Sequence, residues 1–455
     1  MTVGDADGGN VTAGEDVTVN VGKGDVDIVK SVTSENGSVS ARTGKGDIHI
    51  GNNGPDTDTV TAKKDVKLET DNGKIEIYGK TSTETGNITV KAANENYVAG
   101  TDGQNIIIDH NGQIASGRDV TLVAKNGDLH VTDAVKALRD VNAITQQQGD
   151  VFLDDDLAVN GSVTMKTDTG KIDADRNITA GNRIEAATGN GDISVGTADA
   201  RYVALTSGGE NGHLTAEMIR TEANGNSNGT GLEDIKLGGS YVNVNTVANK
   251  NNGSTPLTIS TLGSAANKPV KDFNIGVKNA DGSYTGGIQS VSGAVMQQLW
   301  ADKGMIYMKG GTNLHVSKVV VNEKLHVAND NISVAVFGVP PTRDGERMVY
   351  WNDAEKKAPT GQLNRWFDRS YSDSAWMYLD LFGNGELGSR YGVLIDTNGY
   401  RKIYGDSVSV VDTMRLRLEL VPEAVNISYF DRSNLIEVGD DNWSSNAGED
   451  EITAE

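Results

Sequence analysis

Three kinds of side chain in this sequence could do chemistry. The first is the carboxylate run Asp154-Asp155-Asp156, beside Asp150. Two carboxyl groups held about 5–10 Å apart across a sugar ring can act as acid and base, and the same oxygens suit calcium. Three adjacent residues of a strand alternate faces, however, so they do not converge by themselves. The nonapeptide calcium repeat with two leading glycines is absent, and the run reads as a solvated loop. The second kind is histidine. His49, His130, His315 and His326 each stand between two aliphatics, which turns them outward while their neighbours point in, and His110 and His213 flank Asn-Gly turns. No Ser/His/Asp spacing, no His-Glu-x-x-His and no phosphate loop occurs, so the residues predict no enzyme, no bound metal and no cofactor. The third kind is aromatic: Trp351, Trp366 and Trp376 are the candidate ligand-binding residues, because such rings stack on sugars. The competing reading makes them the core of a terminal domain. Two Lys-Gly-Asp triplets, Lys23–Asp25 and Lys45–Asp47, resemble integrin-type tripeptides, but both sit at the same place in a repeat and read as turns.

The elements that must position these residues are legible from composition. The chain has 455 residues, 55 of them glycine, 7 proline and none cysteine, with a formal charge of −22. Glycine at 55 of 455 is well above the usual level of about 7%. This lean, glycine-rich composition excludes a disulfide scaffold and argues against an extensive helical bundle. An acidic chain repels phosphate backbones, so nucleic acid is not an expected partner. The longest apolar run, Val334–Val339, is far short of the 18 or more residues of a membrane-spanning helix.

One pattern recurs: glycine, a polar residue, then aliphatic–polar–aliphatic. Gly24-Asp25-Val26-Asp27-Ile28, Gly46-Asp47-Ile48-His49-Ile50, Gly73-Lys74-Ile75-Glu76-Ile77 and Gly191-Asp192-Ile193-Ser194-Val195 are examples. Alternation over so few residues is a short strand with one buried face. The leading aliphatics also pair nine residues apart: Val17 with Val26, Val39 with Ile48, Val66 with Ile75, Val120 with Leu129, Val163 with Ile172, Ile184 with Ile193. Units of roughly 21–27 residues carrying two or three short strands predict an all-β fold, a right-handed parallel β-helix. The alternative, an antiparallel barrel or sandwich, fits the regular nine-residue pairs less well.

Residues 1–200 read as regular coils, 201–300 as irregular coils with Asn/Gly/Ser-rich insertions such as Asn224–Gly229, and 301–340 as the final coils. Short helical inserts are predicted at Asp133–Ile144 and Gly293–Trp300. At Pro340-Pro341 the composition changes: 14 of the 24 aromatics lie beyond it. Residues 341–438 therefore read as a smaller β-rich domain, with strands at Tyr391–Ile395 and Met414–Val421 and a turn at Asn398-Gly399. The last stretch, 439–455, reads as an acidic, disordered tail; from Ser433 to Glu455 there are seven acids and no Lys or Arg.

The repeats Thr85-Gly86-Asn87-Ile88-Thr89-Val90 and Gly189-Asn190-Gly191-Asp192-Ile193-Ser194-Val195 resemble the haemagglutinin repeat of the large filamentous-haemagglutinin-like exoproteins of Gram-negative bacteria. The segment running on from Phe337-Gly338-Val339-Pro340-Pro341 resembles the carboxyl end of some of them. The resemblance implies a secreted or cell-surface adhesin, exported by an outer-membrane partner transporter, whose partners are surface glycans or proteins. Neither a secretory signal nor the family's amino-terminal secretion domain is present in this sequence, so export is expected only for a longer protein of which this is the carboxyl portion. A β-helical carbohydrate-active enzyme, a lyase or tailspike-like protein, and a purely structural spacer are the alternatives. The enzyme requires acids or bases that converge on one face of consecutive coils.

Overall fold

A computed structural model describes residues 1–3, 9–51, 58–95, 103–109, 112–223, 234–250, 255–263, 268–309, 314–316, 319–329, 333–338, 375–380, 390–395, 416–421 and 424–426, with side chains up to Lys309. Every regular element among these residues is a β-strand. No helix among them is long and apolar enough to cross a membrane. The chain forms two compact units, Met1–Met218 and Ile219–Glu455.

The first unit is a parallel β-helix. Its most regular ladder stacks Val17–Val21, Val39–Thr43, Val66–Thr70, Ile88–Ala92, Val120–Asn126, Val141–Gln148, Val163–Thr169, Arg183–Asn190 and Tyr202–Thr206. Every step is parallel and brings Val17, Val39, Val66, Ile88, Val120, Val141, Val163, Ile184 and Val203 into one column. The column climbs 22 residues from Val17 to Val39, 27 from Val39 to Val66 and 32 from Ile88 to Val120. The second member of each nine-residue pair opens another ladder, in which Val26, Ile48, Ile75, Ile106, Leu129, Val151, Ile172 and Ile193 align. A third ladder of shorter strands runs through Val11–Ala13, Val32–Ser34, Thr59–Ala62, Lys80–Thr83, Ile114–Ser116, Val135–Ala137 and Leu157–Val159. Three strands per coil thus enclose a narrow core of Val, Ile, Leu and Ala.

The Gly-Asp step of the repeat has a specific cause. At many of these turns an aspartate accepts a backbone N–H of the next coil, although Gly73-Lys74 and Gly170-Lys171 carry a lysine at that step. Asp25 Oδ1 takes the N–H of Asp47, Asp47 Oδ1 takes that of Lys74, Asp128 that of Asp150, Asp150 that of Lys171 and Asp192 that of His213, all at 2.8 Å. The turn before the first ladder uses Asp16, Asp65 and Asp140 the same way, toward Ser38, Asn87 and Ser162. The glycines are required because Gly24 and Gly46 stand at φ 112° and 145°, and a Cβ on Gly46 would run into the carbonyl of Gly24. Inside the coil a buried threonine answers the turn: Thr43 donates to Gly24 O at 2.8 Å, Thr70 to Gly46 O at 2.7 Å and Thr167 to Gly149 O at 2.8 Å. Sequence pattern did not single out these inward threonines, since they read as polar residues at a strand end.

The predicted helical insert at Asp133–Ile144 is instead two strands, Val135–Ala137 and Val141–Gln148. Val141, Ala143 and Thr145 point into the core and pair with Val120, Leu122 and Ala124 of the coil below. The partner edge overrides local propensity, because a strand there pairs with the backbone edge that the coil below presents.

The second unit also has parallel rungs. Ile235–Gly238 pairs with Leu257–Leu262, which pairs with Ala294–Met308. Tyr241–Asn249 pairs with Val270–Ile275 and Gly287–Gln289. The predicted helix at Gly293–Trp300 is a turn glycine at φ 86° followed by the long strand Ala294–Met308, recruited for the same reason. Between Ile275 and Gly287 the coil opens into a lateral antiparallel hairpin, Val277–Lys278 against Tyr284–Thr285. Tyr284 of this hairpin stacks on Tyr307 with ring centroids 5.0 Å apart. From Ser333 pairing becomes antiparallel: Ser333–Gly338 pairs with Val319–Asn329 and with Ala375–Asp380, which pairs with Arg390–Ile395. Leu416–Val421 pairs with Leu314–Val316 and Ala424–Asn426. Asn398-Gly399 and Asn224–Gly229 lie outside the described residues.

Candidate functional site

The strands of the second ladder expose their middle residue, so the alternation that buries Ile48 and Ile50 turns His49 outward. Parallel stacking places Asp27 directly below it and Glu76 directly above. His49 Nδ1 lies 2.7 Å from Asp27 Oδ1, and Nε2 lies 3.0 Å from Glu76 Oε2. Lys74, two residues before Glu76 on the same strand side, reaches Glu76 Oε1 at 2.7 Å. Acids and a base therefore do converge on one face of three consecutive coils, an arrangement that residues 22 and 27 positions apart conceal in the sequence.

The electrostatics of the row decide what it can do. The hydrogen bond that His49 donates to the Glu76 carboxylate, with the one it donates to Asp27, outweighs burial and raises the imidazole to about 9. The hydrogen bond from His49, aided by Lys74, holds the Glu76 carboxyl at about 2 despite partial burial. Burial opposes the charge of Lys74, but Glu76 raises its ammonium on balance. Burial, then the charge of Glu76, pushes the Tyr78 phenol up. At neutral pH both ring nitrogens of His49 are donors between two carboxylates. A general acid needs a proton to lose near neutrality, and neither Glu76 nor His49 is poised there. The row is an inter-coil clip.

A second polar cluster occupies the same face higher up. His130, Phe152, Asp173 and Ser194 stack in register. His130 Nε2 contacts Asp154 Oδ2 at 2.9 Å, and its ring lies 5.2 Å from that of Phe152. The Lys171 ammonium sits 4.7 Å over the Phe152 ring and 2.9 Å from Asp173 Oδ2. His130 and the Lys171 ammonium thus reach a neighbouring coil, while Asp173 is paired within its own.

Asp154, Asp155 and Asp156 form an exposed bend between Val151–Leu153 and Leu157–Val159. They diverge: Asp154 turns to His130, Asp155 Oδ1 accepts the N–H of Asp156, and Asp156 Oδ1 accepts the backbone and side-chain amides of Asn177. The backbone hydrogen bond from Asn177 lowers the Asp156 carboxyl below its usual range. The two Lys-Gly-Asp triplets stack as turns, with the N–H of Gly24 donating to Lys45 O at 2.6 Å. His213 is exposed at the start of His213–Thr221. His315 and His326 lie in strands Leu314–Val316 and Val319–Asn329, and His110 lies outside the described residues. Of the three tryptophans, Trp376 is in strand Ala375–Asp380, its backbone opposite Leu394, while Trp351 and Trp366 lie outside the described residues. Comparison of the chain with protein-family models, curated proteins and solved structures finds no match.

Proposed function

We propose that this chain is the β-helical stalk of a secreted or cell-surface adhesin, presenting its lateral faces and terminal region to glycans or proteins on host cells or other bacteria. The observation that carries the reading is the parallel ladder that stacks coil on coil, with carboxylate clips recurring at its turns, a scaffold stiffened by the same few contacts. Repetition of this kind builds extended display surfaces out of modest local cores. The net charge of −22 supports it, since an acidic shell keeps repetitive β-structure soluble. Export through an outer-membrane transporter, as part of a longer protein, belongs to the same reading.

One observation favours a second reading, a β-helical carbohydrate-active enzyme: the convergence of Asp27, His49 and Glu76 on a single face. The locked protonation of that row weighs against it, and we place the chain outside the enzymes. The test is adherence of the purified chain to red cells and epithelial cells, alongside Trp351→Ala, Trp366→Ala and Trp376→Ala variants of intact circular dichroism. Adherence lost in a tryptophan variant puts the contact in the terminal region, and adherence kept in all three puts it on the lateral faces. No adherence by the unaltered chain, together with turnover of a polysaccharide that Glu76→Gln abolishes, would establish the enzyme instead.

A further inference from the structure

The Asn-Gly step before His213 is one of six among the described residues, at Asn36, Asn72, Asn126, Asn160, Asn190 and Asn211. Asn-Gly is turn chemistry, and it carries a covalent hazard. Glycine has no side chain to hinder its nitrogen, which can reach the asparagine carboxamide carbon and close a five-membered succinimide. The nitrogen must first give up its hydrogen bond, so the fold decides which steps react. Gly73 donates to Ala93 O at 2.8 Å, Gly127 to Gln148 O at 2.9 Å and Gly161 to Arg139 O at 2.8 Å, each across to an adjoining coil. Gly37 donates to the buried Ser34 Oγ at 3.0 Å, and the Asn36 carboxamide is anchored on Gly14 O at 3.0 Å. Toward the end of the first unit this support lengthens. The glycine amides of one turn column reach the next coil at 2.9, 3.0, 3.1 and 3.3 Å, at Gly127, Gly149, Gly170 and Gly191. Gly212 breaks the series: its N–H turns back on Gly209 O of its own turn at 3.4 Å, beyond the usual range of about 2.7–3.2 Å. Asn211 is an exposed turn residue outside the strands. Gly212 is itself covered, but opening its bond breaks no contact between coils.

We infer that Asn211-Gly212 is a site of self-modification by succinimide formation and deamidation, the fastest of the six, with Asn190-Gly191 second. Hydroxide takes the Gly212 amide proton, and the freed nitrogen attacks Cγ of Asn211. The N–Cγ bond forms and the Cγ–Nδ2 bond breaks. The departing amide leaves as ammonia with a proton from water, which restores the hydroxide. Water then opens the ring at either carbonyl and leaves aspartate or isoaspartate. Both products add a negative charge beside Glu210, and isoaspartate also adds a methylene to the backbone. Two residues on, the His213 N–H donates to Asp192 Oδ1 at 2.8 Å. The clip that seats strand His213–Thr221 on the coil below is therefore the contact that loosens as the chain ages. In the other four turns the bonds that build the fold keep the Asn-Gly step intact.

The experiment is incubation of the full chain at mildly alkaline pH, with peptide mass spectrometry following amide-to-acid conversion at each of these asparagines. A parallel sample in denaturant gives their rates free of structure, and each site is read as its folded-to-denatured ratio. The ratio at Asn211 should exceed those at Asn36, Asn72, Asn126 and Asn160 about tenfold or more, since those four wait on local opening of a held amide. Amide exchange at His213 should quicken as the chain ages. It should stay constant in Asn211→Gln, whose longer side chain does not close the five-membered ring. A ratio at Asn211 no higher than at the four held asparagines overturns the proposal, whatever happens at Asn190. A His213 amide that does not respond in the deamidated chain overturns the loosening of the clip.

Discussion

At the scale of single residues the molecule is governed by His49. Its ring bridges two coils because parallel stacking delivers a carboxylate to each nitrogen. A histidine raised to about 9 from 6.5 contributes stability that is fully present below pH 6.5 and is lost as pH rises through 9. Glu76, lowered from 4.5 to about 2, contributes stability present above pH 4.5 and lost as pH falls toward 2. Thermal unfolding followed from pH 6 to pH 10 should therefore show a decline, about 1–2 kcal/mol after solvent screening. His49→Gln should be less stable at pH 6 and flatter across that window. Equal slopes in the two proteins would mean that the clip does not hold the coils. Outward placement of His49 followed from its two isoleucine neighbours, but its partners did not, since nothing local ties it to Asp27 or Glu76.

At the scale of the element the unit is the turn. An aspartate at the step after glycine is usually explained by turn preference, but here it serves the following coil: Asp47 accepts the N–H of Lys74 at 2.8 Å. Asp47→Ala leaves that amide without its acceptor and should cost about 1–3 kcal/mol. Asp47→Asn keeps an acceptor oxygen in place and should cost far less. Denaturant midpoints of the two variants separate a capping role from a charge role, because a charge role would make them equally damaging. The two helical predictions failed at this scale. Asp133–Ile144 and Gly293–Trp300 contain residues content in either state, and the decision was made by the strand edge of the preceding coil.

At the scale of the whole molecule stability is distributed along each unit. The core is a set of columns one or two side chains wide, so a cavity has few neighbours able to collapse into it. Leu68 is fully buried between Ala41 and Val90 of the adjoining coils. Leu68→Ala should cost about 2–5 kcal/mol, read from denaturant unfolding. In a stack whose coils contact only their neighbours, amide exchange should accelerate most in the strands Val39–Thr43 and Ile88–Ala92 that flank it. Acceleration spread evenly over the first unit would show cooperativity longer in range than nearest-neighbour stacking.

The sequence by itself determined most of the strands, the coil period and the inward columns, the strands at Asp133–Ile144 and Gly293–Trp300 excepted. These follow from alternation and from aliphatics recurring nine and about 22 residues apart, which are local and periodic signals. It also placed the glycine turns and turned His49 and His130 outward. Only the tertiary structure decided what meets across coils: the Asp27–His49–Glu76 clip and the threonines that answer the turn carbonyls. The reason is register. The coil lengths are unequal, 22 residues at one step and 32 at another, so which outward side chains stack depends on how much chain each loop takes up, and that is settled only when the backbone ladders close.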